Sequence, residues 1–240
     1  MIKMSKEINQ RNTIKRLKEL YNREYEEDNN IIMEYKIDDL LNLISDAKRR
    51  DKLFNLLMFV LEDMKFFPAS IKHHQNFKGG LYIHTMHVMN YALKEFLNYP
   101  IEYSDLSIDS IIIVSFIHDL GKVKKYEINK KFEFGNTAEE RKYPYEPKEK
   151  IISEETYVMN LLSQFGITLD DDELNALDMT HGVWSDKDLK MRKLAHLMHT
   201  ADIKGSQIIR ENCKYDNNET LQNLQKIKFI DFKTYEYKEL

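Results

Sequence analysis

A chain of 240 residues with one cysteine, Cys213, can form no internal disulfide and no thiolate-built zinc site, and its net charge of −4 gives no overall attraction to nucleic acid. With 7 glycines and 4 prolines against 42% apolar residues, the composition favours long helices over a turn-rich β architecture, and an all-α or mostly-α domain with terminal additions is expected. No segment reaches the roughly 18 apolar residues of a membrane span, and the first residues lack the apolar core of a signal peptide, so no membrane partner and a cytoplasmic location are expected.

Residues 1–36 read as a helical arm, with Ile8, Ile14, Leu17, Leu20 and Tyr21 forming a weak apolar stripe before "EEDNN" breaks the pattern. The stripe suits a partner contact, through which a homo-oligomer is the expected assembly. Residues 37–210 hold the main domain. In "KIDDLLNLISDAKRRDKLFNLLMFVLEDMKFF" the periodicity predicts two helices. Asp38 or Asp39 is placed to cap the first, and Leu53, Phe54, Leu57, Val60, Leu61 and Met64 line the second. After the loop "PASIKHHQNFKGG", the segment "LYIHTMHVMNYALKEFL" returns to helical spacing through Leu81, Met86, Met89, Leu93, Phe96 and Leu97.

The next helix, in "IDSIIIVSFIHDLGKVKKY", is apolar from Ile111 to Ile117 and ends in His118 and Asp119, with Gly121 suited to its C-terminus. "VKKYEINKKFEF" alternates around "NKK" and predicts a small β-hairpin, and residues 135–150 read as a polar surface loop. Helices resume at "SEETYVMNLLSQF", "DDDELNALDMTHG" and "KDLKMRKLAHLMHTADIKGSQII", with Ser153 and Asp170 to Asp172 at the first turns of the first two. Residues 211–240 form a tail, ending in "KIKFIDFKTYEYKEL", that reads as a strand or as an arm on the body.

An ionised carboxylate at the end of a buried helix demands a cation or a metal. Six of the eight histidines fall on or beside four core helices: His84 and His87, His118, His181, and His196 and His199. His199 and Asp202 are three residues apart and share a helix face that Ala195 and Met198 mark as interior. If Asp119 and Asp202 both lie inside, a divalent cation bound by histidines neutralises their repulsion. Nitrogen and carboxylate donors without sulfur suit Mn, Fe, Co, Ni or Zn.

This order of motifs resembles the HD-domain metal-dependent phosphohydrolases, across about residues 66–206, through "FFPASIKHHQNFKGGLYIHT", "HDLGK" and "HTAD". The likeness is nearest to the HD domains of bacterial 3′-5′ exoribonuclease-type proteins. The resemblance implies an HD-domain helical bundle, with metal ligands at His84, His118, Asp119 and Asp202. It implies catalytic roles for Asp119, Lys122 and His181, and places Lys72, His74, Lys122 and His199 along the substrate. In that scheme Asp119 ligates metal and orients water, Lys122 offsets charge on phosphoryl oxygens, and His181 moves a proton. Two-metal members carry a further histidine near the helix after the polar loop, where this chain has Ser153 or Glu155, so one ion is preferred.

The activity implied is hydrolysis of a phosphomonoester or phosphodiester, of a nucleotide or a short oligonucleotide. The alternatives are a catalytically inactive nucleotide-binding sensor module and an exoribonuclease acting on longer RNA. Trp184, Tyr143 and Tyr145 could stack on a base, although aromatic residues near polar loops more often cover a core.

Overall fold

The computed structural model describes residues 35–99, 101–137, 140, 143–149, 152–181, 189–212, 227–231 and 236–239, with backbone alone for Glu133, Phe134 and residues beyond 207. The expected arm at residues 1–36 therefore lies almost wholly outside the described residues, as does Trp184. The described chain is mostly helical. Its elements are α1 (Ile37–Leu41), α2 (Ala47–Met64), α3 (Gly80–Asn98), α4 (Ile108–Ile117), a 3-10 helix (Leu120–Lys124), β1 (Tyr126–Ile128), α5 (Lys131–Phe134), β2 (Tyr145–Pro147), α6 (Glu154–Gln164), α7 (Asp171–Met179), α8 (Lys193–Asn212), β3 (Ile227–Asp231) and β4 (Glu236–Glu239). Among the described residues no helix is long and apolar enough to cross a membrane.

The described residues divide into two compact units, one drawn from residues 35–56, 85–118 and 162–204, the other from residues 57–84, 119–161 and those described from 205 on.

In the first unit α4 is the core element, packed on α1 and α7. Residues 110–117 are all buried, which is what a helix apolar on every side requires. Ser107 caps it by accepting the Ser110 N–H, and Asp109 in its first turn accepts the Ser45 N–H at 3.0 Å and the Ser45 hydroxyl at 2.7 Å. The start of α1 differs from the sequence expectation. Lys36 occupies the N-cap without a side-chain hydrogen bond, and Asp38 and Asp39 lie inside the first turn, where they favour the positive end of the helix dipole. Asn90 of α3 does the local fastening instead, accepting the Tyr35 N–H at 2.9 Å and donating to the Tyr35 carbonyl at 2.8 Å.

Asp170 caps α7 in a reciprocal capping box with Glu173. Glu173 is fully buried, and Arg49 grips both its oxygens, at 2.9 and 2.5 Å. A planar guanidinium meeting a carboxylate in this two-pronged way is the strong form of a charged hydrogen bond.

The second unit contains the loop from α2 to α3. Phe66 packs edge-on against Phe67 and against Tyr145, with ring centroids 5.1 and 6.1 Å apart, and the Tyr145 hydroxyl donates to the Phe66 carbonyl at 2.7 Å. Tyr145 is thus a core residue. β1 and β2 pair antiparallel, Tyr126 opposite Pro147 and Ile128 opposite Tyr145. The small sheet expected after the His-Asp pair is present, but "NKK" is not its turn. Asn129 donates to the carbonyls of Glu140 and Tyr143, while its own N–H donates to the Pro144 carbonyl. These bonds close the connection at Tyr145, and Lys131–Phe134 forms a helical turn rather than the second strand.

Gly121 also acts differently from expectation. It sits within the 3-10 helix and is not among the glycines of positive φ. A Cβ at this position would stand 2.5 Å from Glu154 Cβ and 2.8 Å from Glu154 Cα and its carbonyl oxygen. Glycine is required there because the backbone of α6 comes too close for any side chain. Ser153 caps α6 by accepting the Thr156 N–H at 3.1 Å. In the tail, β3 and β4 pair antiparallel, with an irregularity between Ile227 and Phe229.

Candidate metal centre

The last carbonyls of an α-helix have no partner within the helix. At the end of α4, His118 fills the C-cap position and its Nδ1 lies 2.8 Å from the Ser115 carbonyl oxygen. A carbonyl only accepts, so Nδ1 donates its proton there, and in the neutral ring Nε2 is the nitrogen able to act as an acceptor or ligand. Nε2 lies 3.9 Å from Asp202 Oδ1. A nitrogen and a carboxylate oxygen at that separation can share a cation, either a proton on the ring or a metal ion. The other Asp202 oxygen is 3.4 Å from His181 Nδ1. Asp202 comes from α8, and its side chain keeps 15% exposure, which leaves the carboxylate within reach of solvent.

Asp119 follows directly and sits at φ −113°, ψ 6°, between the regular backbone regions, where the chain leaves α4 and enters the 3-10 helix. The turn buries its carboxylate. Lys122, one 3-10 turn on, brings Nζ to 2.5 Å from Asp119 Oδ2, and His84 Nε2 lies 3.2 Å from the same oxygen. Asp119, His84 and Lys122 are all buried. Buried charges of opposite sign in contact offset the loss of water around both, and removal of either partner strands the other.

His84, His118 and Asp202 are a group that could hold a metal ion. The donor set fits that use. Two imidazole nitrogens and one carboxylate are borderline donors suited to first-row divalent ions, and three protein ligands leave positions for water or substrate. The Ser115 carbonyl bound to His118 Nδ1 is the kind of outer partner that fixes the tautomer of a ligating histidine.

The other residues singled out by sequence fall in distinct places. His199 directs Nδ1 to the Thr180 carbonyl at 2.7 Å, so its proton holds the end of α7 immediately before His181. His181 itself is exposed on nearly half its side chain. His74 is half-buried and its ring centroid lies 4.8 Å from that of His84. Lys72 is exposed, and no described hydrogen bond or ion pair joins it to these groups. Asp119, expected among the ligands, directly follows His118 and carries Lys122 Nζ on Oδ2. Lys122, expected on substrate phosphate, is bonded to Asp119 at the same place.

Two participants were not singled out from the sequence: the carbonyls of Ser115 and Thr180. The Ser115 carbonyl was accessible in principle, since a histidine at a helix C-cap lies three residues beyond an orphan carbonyl. Comparison with models of protein families, with curated proteins and with solved structures gave no match.

Proposed function

We propose that the chain is a divalent-metal-dependent phosphohydrolase of the HD type, acting on a phosphomonoester or phosphodiester of a nucleotide or short oligonucleotide. The observation that supports this reading is the His118 ring, anchored through Nδ1 on the Ser115 carbonyl with Nε2 toward Asp202, in a donor set of two imidazoles and one carboxylate. His84, His118 and Asp202 would hold one ion. Bound there, a divalent ion supplies a Lewis acid that polarises a phosphoryl oxygen and acidifies water.

The chain's own groups divide the remaining tasks. Asp119, locked by Lys122 and adjacent to His84, keeps that imidazole in one orientation. His181, exposed and 3.4 Å from Asp202, is placed to carry a proton between the site and solvent. His199 holds Thr180 and so sets the position from which His181 works. Lys122 contributes positive charge near the site while remaining bonded to Asp119.

A second reading, a nucleotide-binding module without turnover, draws on that same bond, because the cation expected to meet phosphate is already paired. Long RNA is disfavoured as a substrate by the net charge of −4. Assay of the metal-loaded full chain with a generic phosphodiester and with nucleotides distinguishes the readings. Turnover that needs the added ion and is lost in His118→Ala supports the hydrolase. Tight nucleotide binding without turnover supports the module.

A further inference from the structure

Gln75, in the loop from α2 to α3, is the single non-glycine residue of positive φ among the described residues, at 39°. A residue with a Cβ avoids this conformation, so its surroundings must hold it. The contacts that do so act on both its side chain and its backbone. Nε2 donates to the Gly205 carbonyl of α8 at 2.9 Å, and the residue is wholly buried. Its backbone carbonyl accepts the Ala69 N–H at 3.1 Å and presses against Gly80, where a Cβ would stand 1.9 Å from that oxygen. Gly80 opens α3, so the loop can turn this tightly only with glycine there. The residue before Gln75 is His74, whose ring is tilted 39° to that of His84 at a centroid separation of 4.8 Å.

A buried amide holding an unfavourable backbone angle, next to a histidine beside a candidate ligand, has more structure than filling space requires. We propose that Gln75 is a positioning residue, whose tether to Gly205 keeps the His74 imidazole against His84. The functional half rests on the phosphohydrolase reading: His74 then meets the anionic ester beside the centre, and Gln75 acts through it.

The test uses the full chain labelled with 13C-histidine. In the metal-free wild type, a nuclear Overhauser effect between the rings of His74 and His84 is expected, and it disappears in Gln75→Ala. Should that variant fail to fold, Gln75→Gly decides, since it relieves the backbone angle while deleting the tether. With ion and phosphoester supplied, Gln75→Ala or Gln75→Gly lowers kcat/KM about tenfold to a hundredfold, as misplacement of a contacting group does. His74→Ala lowers it similarly, the pair of changes together no further, and ion affinity stays unchanged. Persistence of the ring-to-ring signal in both Gln75 variants, or losses that simply add, would overturn the proposal. If the wild type turns over no phosphoester, the hydrolase reading fails, while the ring-to-ring signal still decides what Gln75 does.

Discussion

Asp119 finds its cation three residues along the chain, on Lys122 Nζ at 2.5 Å, whereas the groups described around Asp202 are imidazole nitrogens, His181 Nδ1 at 3.4 Å and His118 Nε2 at 3.9 Å. The first carboxylate is buried, with Lys122 and His84 both against its Oδ2. The second retains 15% side-chain exposure and lies among imidazole nitrogens. A buried carboxylate gripped by a lysine gains stability and orientation from the pair. One set among imidazoles at the edge of solvent suits a cation from outside. The sequence pattern treats the two aspartates alike, and only their neighbours separate them.

Changes at the Asp202 side should sharpen this contrast most. Asp202→Asn or His118→Ala is expected to abolish ion-dependent phosphoester turnover, a larger loss than the roughly 10- to 100-fold that removal of an outer partner costs. Asp202→Asn should unfold within about 1 kcal/mol of the wild type in the metal-free state, whereas His118→Ala should cost about 2–4 kcal/mol, because it empties a buried site and strands the Ser115 carbonyl. Steady-state kinetics with urea unfolding checks both parts.

Lys122→Met should act in the opposite way. It leaves the Asp119 carboxylate buried without its cation, at a cost of about 3–5 kcal/mol. The double change Asp119→Asn with Lys122→Met should recover much of that loss. Equal destabilisation by the single and double changes would show that the pair does not act as a unit.

Gly121→Ala sets a Cβ against Glu154 of α6 and should cost about 1–3 kcal/mol by overpacking. If glycine were needed there for a helix C-terminus instead, Gly121→Asn would be tolerated better than alanine. Thermal unfolding of both variants separates the two roles.

The smallest effect is expected far from either aspartate. Burial raises the Tyr145 hydroxyl to about 12. Its neutral form is therefore favoured in the folded state, and that contribution is complete below the ordinary tyrosine value near 10. It fades as pH rises from there through about 12. Tyr145→Phe should lose about 1 kcal/mol at neutral pH with its bond to Phe66, and the gap from wild type should shrink at alkaline pH. A gap that widens with pH would contradict the assignment.

The helices around the site were readable because apolar spacing and caps act locally. The fully apolar run ending in His118 became the buried α4, and Ser153 and Asp170 cap the helices they precede. Features set by contacts distant in sequence were not readable. Asn129 reaches carbonyls 11 and 14 residues away and moves the second strand from "KFEF" to Tyr145–Pro147. Gly121 owes its identity to Glu154, and Gln75 its backbone angle to Gly205 and Gly80. At the site, the family resemblance implied His84, His118, Asp119 and Asp202 as ligands, and three of these form the group that could hold an ion. The pairing of Asp119 with Lys122 was hidden, because a lysine beside a carboxylate reads equally well as a ligand for phosphate.

Calorimetric titration of the metal-free chain with Mn tests the central claim most directly. The account predicts one equivalent bound with release of heat, a rise in melting temperature with added ion, and loss of both in Asp202→Asn but not in Lys72→Ala. Absence of binding in the wild type, or binding that survives Asp202→Asn and His118→Ala together, would contradict it.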